Sequence, residues 1–237
     1  MDGAPLSGGS VFFFNDTAGP PPSKDRYWRV SDYSAPLDNG GNFSLELPAG
    51  KYYLGAINRI SGKTNFGPPE EGDLFFGAED ENGLPKAFVI KTGEQTNLGI
   101  LTGAKPFKKA LVKYRDGITA IEGTVLDPDG RPVSGALVFA YTTPSMTGKP
   151  LYASERTTGD GKYILRVRSG GTYYLKSRDK YKSGMPSMGD LAGSYGQEAF
   201  QTAVKKPATG IYVKTGEIIT GIDIRTIKFT GRDIQAK

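Results

Sequence analysis

The sequence predicts an all-β chain with little helix, organised as two tandem β-sandwich domains. Three observations support this. The 237 residues include 33 glycines and 16 prolines, too many for a helical protein and typical of short strands joined by turns. Between residues 118 and 175, apolar and polar residues alternate with a period of two. Much of this pattern also occurs in the first half of the chain.

Predicted strands and turns follow one another almost without interruption between residues 118 and 175. Residues 162–168 show this best, because Tyr163, Leu165 and Val167 form an apolar face between charged neighbours. The turns combine proline, which restricts φ, with glycine, which tolerates positive φ. In order, the predicted strands are 118–126, 135–141, 162–168 and 172–175, with turns at 127–132, 158–161 and 169–171.

The first half repeats this order. Residues 2–14 match residues 129–141 position for position, and Tyr52-Tyr53-Leu54 matches Tyr173-Tyr174-Leu175. A period of more than about 100 residues indicates two globular domains rather than a solenoid. The predicted strands of the first half are 11–15, 26–30, 42–47, 51–57, 86–91 and 95–101, and an insertion at 67–76 has a counterpart at 184–191.

The second half resembles the carboxypeptidase regulatory-like family, whose domains are transthyretin-like, immunoglobulin-like β-sandwiches. The resemblance implies this fold for both halves. Because such modules are usually non-catalytic, it implies no activity of its own, and the family's place among carbohydrate-binding-like folds implies a glycan as a ligand to consider. The matching residues are Gly123, Val125, Asp129, Gly130, Pro132, Val133, Gly135, Ala136, Val138, Thr158, Asp160, Gly161, Tyr163, Gly170 and Tyr173.

The domains differ in charge. We expect a first domain at residues 1–104, a basic linker at 105–116 and a second domain at 117–237. The net charge is −5 for residues 1–102, +4 for 103–116 and +6 for 117–237. This asymmetry either orients two domains or two molecules against each other, or reflects two solvated surfaces.

The first copy begins at the Asp-Gly-x-Pro turn, whereas the second copy has the strand 119–126 before that turn. Either a boundary falls one strand late, or the first domain works without this strand. A sandwich lacking it exposes unpaired backbone and an apolar slot, which invites another strand. We therefore expect a protein partner or self-association by strand addition, with the linker or the C-terminal segment 227–234 as candidate donors.

Several classes of function are excluded by composition. The chain has no histidine and no cysteine, so disulfides, iron–sulfur ligation and Ser-His-Asp or Cys-His mechanisms are absent, and a zinc site would need carboxylates alone. No apolar run approaches the roughly 18 residues of a membrane span. Residues 1–4 do not resemble the start of a signal peptide. No cofactor and no phosphate-binding loop are predicted.

Aromatic residues form the best candidate ligand-binding surface. Tyr27, Trp28 and Tyr33, joined by Phe75 and Phe76, can stack on sugar rings or fill a partner's pocket. The alternative is that Trp28 fills one end of the first sandwich.

Charged residues offer weaker candidates. Turn residues that offer oxygen ligands for calcium are Asp38, Asn39, Asp127, Asp129 and Asp160. Asx residues also occur in turns because they bond to nearby backbone, so no metal site is predicted. Glu70, Glu71 and Asp73 have no matching acid for glycoside hydrolysis and indicate a solvated loop. The basic linker contains Lys105, Phe107, Lys108, Lys109, Lys113, Tyr114 and Arg115, but no nucleic-acid-binding motif accompanies it.

The sequence thus indicates a protein that is not an enzyme. We expect a structural, adhesion or assembly module of a secreted, periplasmic or cell-surface protein. The alternative is a carbohydrate-binding module that uses the aromatic surface around Trp28. An enzyme would need two acids facing each other across a cleft.

Overall fold

The computed structural model describes residues 5–60, 67–109, 117–180, 186–197 and 208–230. The chain divides into two compact units. Unit 1 comprises Met1–Pro22 and Ser31–Leu111, and unit 2 comprises Ser23–Val30 and Val112–Lys237. The predicted all-β class is confirmed, since the helical structure in the described residues is a single 3₁₀ turn at Asp16–Ala18. None of these described segments forms a helix with the length and hydropathy needed to cross a membrane.

Unit 1 is built on one antiparallel sheet with the order β2-β1-β3-β4-β6, in which β5 also pairs with β3. Val11 and Phe13 of β1 lie opposite Ala56 and Leu54 of β3, and all four side chains are buried in the core of unit 1. The strands are β1 (Ser10–Asn15), β2 (Tyr33–Pro36), β3 (Gly50–Asn58), β4 (Leu74–Gly77), β5 (Ala87–Ile90) and β6 (Lys105–Pro106).

Unit 2 contains a sheet of the same design and a second sheet that packs on it through a shared apolar core. The first has the order β16-β12-β11-β8-β9, with β13 also on β11, and the second has the order β10-β7-β14, with β15 also on β7. The strands are β7 (Thr119–Leu126), β8 (Leu137–Tyr141), β9 (Tyr152–Ala153), β10 (Lys162–Val167), β11 (Gly171–Arg178), β12 (Leu191–Ser194), β13 (Ile211–Val213), β14 (Ile218–Ile219), β15 (Ile224–Arg225) and β16 (Ile227–Lys228).

The six-stranded sheets of the two units correspond strand for strand. β2-β1-β3-β4-β6 has the same connectivity as β9-β8-β11-β12-β16, and β5 takes the place of β13. A tyrosine in the long central strand makes the same bond in each unit. Tyr52 Oη donates to the Pro48 carbonyl at 3.0 Å, and Tyr173 Oη donates to the Ser169 carbonyl at 2.8 Å.

The insertion before β4 also adopts one structure twice. In unit 1 the Gly72 N–H donates to the Phe107 carbonyl, and the Phe107 N–H donates to the Asp73 carbonyl, at 2.9 and 2.7 Å. In unit 2 Gly189, Phe229 and Asp190 repeat both bonds at 2.7 and 2.8 Å. A phenylalanine at the end of each unit therefore holds the Gly-Asp-Leu loop against the sheet.

Four predictions differ from the structure. Residues 42–47 and 95–101 of unit 1 are not strands. Residues 26–30 form no strand but take part in two isolated bridges within unit 2, from Tyr27 to Ser23 and from Arg29 to Tyr152. Lys105 was expected in the linker but lies in β6, where the pair Lys105–Pro106 bonds with β4. The physical reason for the first difference is that a strand needs a hydrogen-bonding neighbour.

A buried ion pair stabilises the insertion of unit 1. Arg59 and Asp73 lie 2.9 Å apart, and each side chain is 2% exposed. Arg59 also donates to the carbonyls of Gly67 and Pro68, at 2.6 and 3.1 Å. These bonds compensate the desolvation of both charges. The corresponding pair in unit 2 joins Lys180 to Asp190 at 3.3 Å, with the lysine side chain 61% exposed.

Removing the cation should therefore lower the free energy of unfolding by very different amounts in the two units. Arg59→Met leaves the Asp73 carboxylate buried without its partner, and we expect the free energy of unfolding to fall by about 3–5 kcal/mol. Lys180→Met is the matched control and should cost about 0–1 kcal/mol, because water replaces an exposed lysine. Urea titration of both variants measures the difference, and equal losses would contradict the structural role assigned to the buried pair.

Candidate strand-acceptor site

The candidate site is the side of unit 1 that corresponds to β10-β7-β14 of unit 2. In unit 2, β7 pairs antiparallel with β10 on one side and parallel with β14 and β15 on the other. In unit 1 the matching residues 42–47 and 95–101 form no ladder with another described segment. Their apolar side chains pack on the unit 1 core. We call the half-buried surface of these two segments the slot.

Side chains beside the slot are less buried than their counterparts in unit 2. Tyr163, Leu165 and Val167 of β10 are at most 3% exposed. The same alternate positions of residues 42–47 pack on the unit 1 core but remain half-buried. In unit 2, β7 contributes the fully buried Ile121 to the core on which β10 packs.

One exposed isoleucine lies within residues 95–101. Ile100 is 93% exposed, whereas Leu98 and Leu101 pack on the unit 1 core. Counted from the matching segments 91–94 and 214–217, Ile100 corresponds to Asp223, which is also exposed. Ile100 is therefore an outward-facing apolar residue close to two that face the core.

The slot differs from its filled counterpart in charge. In unit 2, Arg166 lies opposite Ala120 of β7, is 3% exposed and pairs with Glu155 at 3.0 Å. Burial lowers the pKa of the Arg166 guanidinium from its ordinary value, and the Glu155 carboxylate opposes this effect. The matching position in unit 1 is Glu46, which is exposed. A strand entering the slot therefore meets a carboxylate where β7 meets a guanidinium.

The two donor segments predicted within this chain are engaged elsewhere. Of the linker, Lys105–Pro106 pairs with β4, and Phe107 is buried. Of the C-terminal segment, Ile227–Lys228 pairs with β12, and Phe229 is 1% exposed. The prediction that these described segments donate a strand to the slot was wrong. Each of them instead pairs with the last strand at the edge of its own unit's six-stranded sheet. Residues 110–116 and 231–234 lie outside the described residues.

The predicted aromatic surface is divided between the units. Tyr33 packs against Tyr52 with ring centroids 6.0 Å apart, and Phe75 packs against Phe107 at 5.8 Å, both within unit 1. Phe76 contacts the unit 1 core. These three side chains are half-buried and take part in packing.

Tyr27 and Trp28 belong to unit 2 and are each 6% exposed. The Tyr27 ring packs edge-on against Tyr152 at 5.8 Å, and burial raises the pKa of the Tyr27 hydroxyl. The Trp28 carbonyl accepts the Ala153 N–H at 3.0 Å, which extends the edge of the sheet beyond β9. A sugar-binding platform needs exposed ring faces, so carbohydrate binding by this surface is not supported.

The acidic side chains of the insertion make contacts within unit 1. Asp73 is buried against Arg59 and accepts the Glu70 N–H at 2.8 Å, while Glu71 accepts the Lys109 N–H at 2.6 Å. This arrangement differs from the predicted solvated loop, because the insertion folds back on the sheet. It does not form a pair of acids flanking a substrate.

The aspartates predicted as calcium candidates bond within their own turns. Asp38 accepts the N–H groups of Gly40 and Asn42, at 2.8 and 2.7 Å. Asp127 likewise accepts the N–H groups of Asp129 and Arg131, at 2.9 and 2.8 Å. These are Asx-type turns. Across the described ranges, no three acidic side chains converge into a metal-binding group.

The basic linker is described only in part. Lys105, Lys108 and Lys109 lie in the described residues and are exposed. Lys113, Tyr114 and Arg115 lie outside them.

Sequence reasoning missed the assignment of Ser23–Val30 to unit 2. The sequence carries no signal for this assignment, because the stretch 15–32 has no evident counterpart in the second half.

Comparisons with known proteins name no family for this chain. No protein-family model matches the sequence, and no curated protein matches it. The resemblance to the carboxypeptidase regulatory-like family is therefore not confirmed.

Solved structures similar to this chain include three bacterial proteins. The Bacillus anthracis TIE protein is 11% identical, with a TM-score of 0.28. The alignment covers 93% of this chain and 34% of the TIE protein chain. A streptococcal ancillary pilin is 14% identical, with a TM-score of 0.28, covering 96% of this chain and 64% of its own. A variant of the shaft pilin SpaA from Lactobacillus rhamnosus GG is 13% identical, with a TM-score of 0.22. The alignment covers 97% of this chain and 94% of the pilin chain. The chain thus spans less than two thirds of the first two proteins. Structural similarities with TM-scores of 0.28 or lower support no argument about this chain.

The burial of Trp28 predicts a structural role that stability measurements can check. Trp28→Ala should lower the free energy of unfolding by about 3–5 kcal/mol, because it removes a large buried side chain. The matched control is Tyr212→Ala, since Tyr212 is 64% exposed in the same unit and should cost less than about 0.5 kcal/mol. Urea titration compares them, and a neutral Trp28→Ala would mean that the ring is free to bind a ligand.

The turn before β10 predicts a strongly acidic carboxyl group. The Thr158 hydroxyl donates to Asp160, and this bond, with help from Lys162, lowers the pKa of Asp160 to about 2. Because this pKa lies below that of an unfolded aspartate, about 3.9, the stabilisation is present above about pH 4 and is lost as the pH falls towards 2. Thr158→Val should raise the pKa, which NMR titration of the carboxyl carbon measures. The Asp38 pKa should not change, and an unchanged Asp160 pKa would contradict this explanation.

Proposed function

We propose that this protein is a non-catalytic structural module that assembles with other protein subunits by strand addition. The two units are copies of one transthyretin-like domain of the carboxypeptidase regulatory-like type, and the parent is a secreted or cell-surface protein. The observation that carries the proposal is the half-buried apolar row of residues 42–47 in unit 1, which pairs with no described strand of that unit. A half-covered apolar segment outside any ladder is suited to pair with an added strand.

The contrast between the units supports this role. Unit 2 shows what the same sheet looks like when its second layer is complete, with Ile121 and Val125 fully buried. Unit 1 keeps the side chains that this layer would cover, including Phe43 and Leu45, yet leaves them half-buried. Burying one large apolar side chain contributes about 1.5–3 kcal/mol, so an added strand has a substantial driving force.

Other features agree with a structural role. The acids of the insertion are engaged in a buried ion pair and backbone bonds, and the turn aspartates cap their own turns. The opposite charges of the two halves of the sequence favour ordered contacts between molecules.

A chain that carries its own donor strand tests this function. Placing a second copy of residues 117–128 directly before Asp2 reproduces the order in which β7 precedes its turn in unit 2. We expect this completed variant to gain roughly 2 kcal/mol or more in free energy of unfolding, because two apolar side chains enter the core. We also expect the natural chain to associate as its concentration rises, and the completed variant not to do so. Size-exclusion chromatography with light scattering measures both.

The control carries the same added segment with aspartate at the positions of Ile121 and Val125. It should neither stabilise unit 1 nor suppress association, because a charged side chain cannot enter the apolar slot. A completed variant that is no more stable than this control and associates like the natural chain would refute the proposed function.

A further inference from the structure

We propose that the outer edge of β9 in unit 2 is a strand-acceptor site for Ser23–Val30, and that the same segment of a second copy of this chain occupies the site when the resident segment is weakened. The site is filled in the structure, since residues 23–30 lie on this edge and are part of unit 2. The inference goes beyond the proposed function, which concerns the slot of unit 1, and does not depend on it.

The backbone of the segment adds a strand position to the six-stranded sheet of unit 2. Arg29 forms an antiparallel bridge with Tyr152 of β9, whose other edge pairs with β8. Two backbone hydrogen bonds of 3.0 Å, one on each side of this bridge, join residues 28–30 to residues 151–153. This is the geometry of strand addition, in which main-chain bonds supply affinity and side chains supply specificity.

An aromatic side chain anchors the segment. The Tyr27 ring is 6% exposed and belongs to the apolar core of unit 2. It packs edge-on against Tyr152 at 5.8 Å, and Tyr152 packs in the same way against Tyr173 of β11 at 6.0 Å. Trp28 follows and is equally buried. Because large buried rings dominate the energy of interfaces, the site selects an aromatic pair at these two positions.

A buried guanidinium binds the backbone at the other end of the segment. Arg166 of β10 donates to the Lys24 carbonyl at 3.3 Å and to the Glu155 carboxylate at 3.0 Å. The segment bends there, because the N–H groups of residues 26–27 both donate to the Ser23 carbonyl at 2.9 Å. A turn formed within the segment lowers the entropy that is lost when it docks.

The position of the segment in the chain allows exchange between copies. The hydrogen bond from Arg166 to Lys24 joins residues 142 positions apart. The residues on both sides of the segment, Met1–Pro22 and Ser31–Leu111, are assigned to unit 1. The segment can therefore make the same contacts from its own chain or from a second one, as in domain swapping. Tethering gives the resident segment an effective concentration on the order of millimolar, so exchange requires that the resident segment is weakened.

A labelled peptide tests the site on the full chain. The probe is a fluorescein-labelled peptide of residues 22–32, read by fluorescence anisotropy. The recipient is the chain with Tyr27→Ala and Val30→Pro, which lacks the aromatic anchor and the N–H that donates to the Leu151 carbonyl. We expect saturable binding to the recipient. Binding to the natural chain should be weaker by about tenfold or more, because the resident segment competes there.

Two altered peptides show what the site recognises. A peptide with Tyr27→Asp should not bind, because a carboxylate cannot replace the buried ring. A peptide with Arg26→Ala is the matched control and should bind like the natural sequence, because Arg26 is exposed. If the recipient does not fold by itself, Val30→Pro alone is the milder recipient, since it keeps the anchor. Its affinity for the peptide should still exceed that of the natural chain.

Mixing two variants tests the exchange between copies. The donor chain carries Ala153→Pro, which removes the N–H that donates to the Trp28 carbonyl and so weakens the docking of its own segment. Mixed with the recipient, it should give particles of higher mass than either variant alone, measured by size-exclusion chromatography with light scattering. Both variants keep the slot, so association through the slot is present in all three samples and does not account for the difference.

Two results would overturn the inference. The first is that the recipient shows no saturable binding or binds the Tyr27→Asp peptide equally well, and the second is a mixture no heavier than its components. The completed variant of unit 1 keeps residues 23–30 unchanged. Failure of the proposed function is therefore detected with the completed variant, and failure of this inference with the recipient.

Discussion

The structure depends on the hydrogen bonding of one central strand. β7 holds β10 on one side and β14 and β15 on the other, and these outer strands have no ladder with each other. A sheet of this design forms as a whole or not at all, because removing the central strand removes every ladder at once. Unit 2 has all of these ladders, whereas residues 42–47 of unit 1, which share the alternation of β10, form no ladder with another described segment.

The other sheet of each unit does not depend on that strand. In unit 1 it is complete, with β3 bonded to β1, β4 and β5, and Val11, Phe13 and Tyr52 almost fully buried. The Gly-Asp-Leu loop and the phenylalanine that closes it are equally well formed in both units. Unit 1 is thus built on a complete six-stranded sheet whose insertion is closed in the same way as in unit 2.

Edge strands are normally protected, since exposed backbone promotes aggregation. At the slot the protection is partial. Glu46 places a charge beside it, and the alternate side chains of residues 42–47 fold down onto the core instead of standing open. Ile100 has no such protection.

The sequence by itself determined the all-β class, because alternation and turn residues act locally. It also located β1, β3, β7, β8, β10 and β11 to within a few residues. Tertiary structure decided the rest. Residues 42–47 have the alternation of a strand but lack a partner, Trp28 became buried in unit 2, and Asp73 became half of a buried ion pair. Each of these outcomes depends on which distant segment lies alongside, and the local pattern of residues carries no information about an absent neighbour.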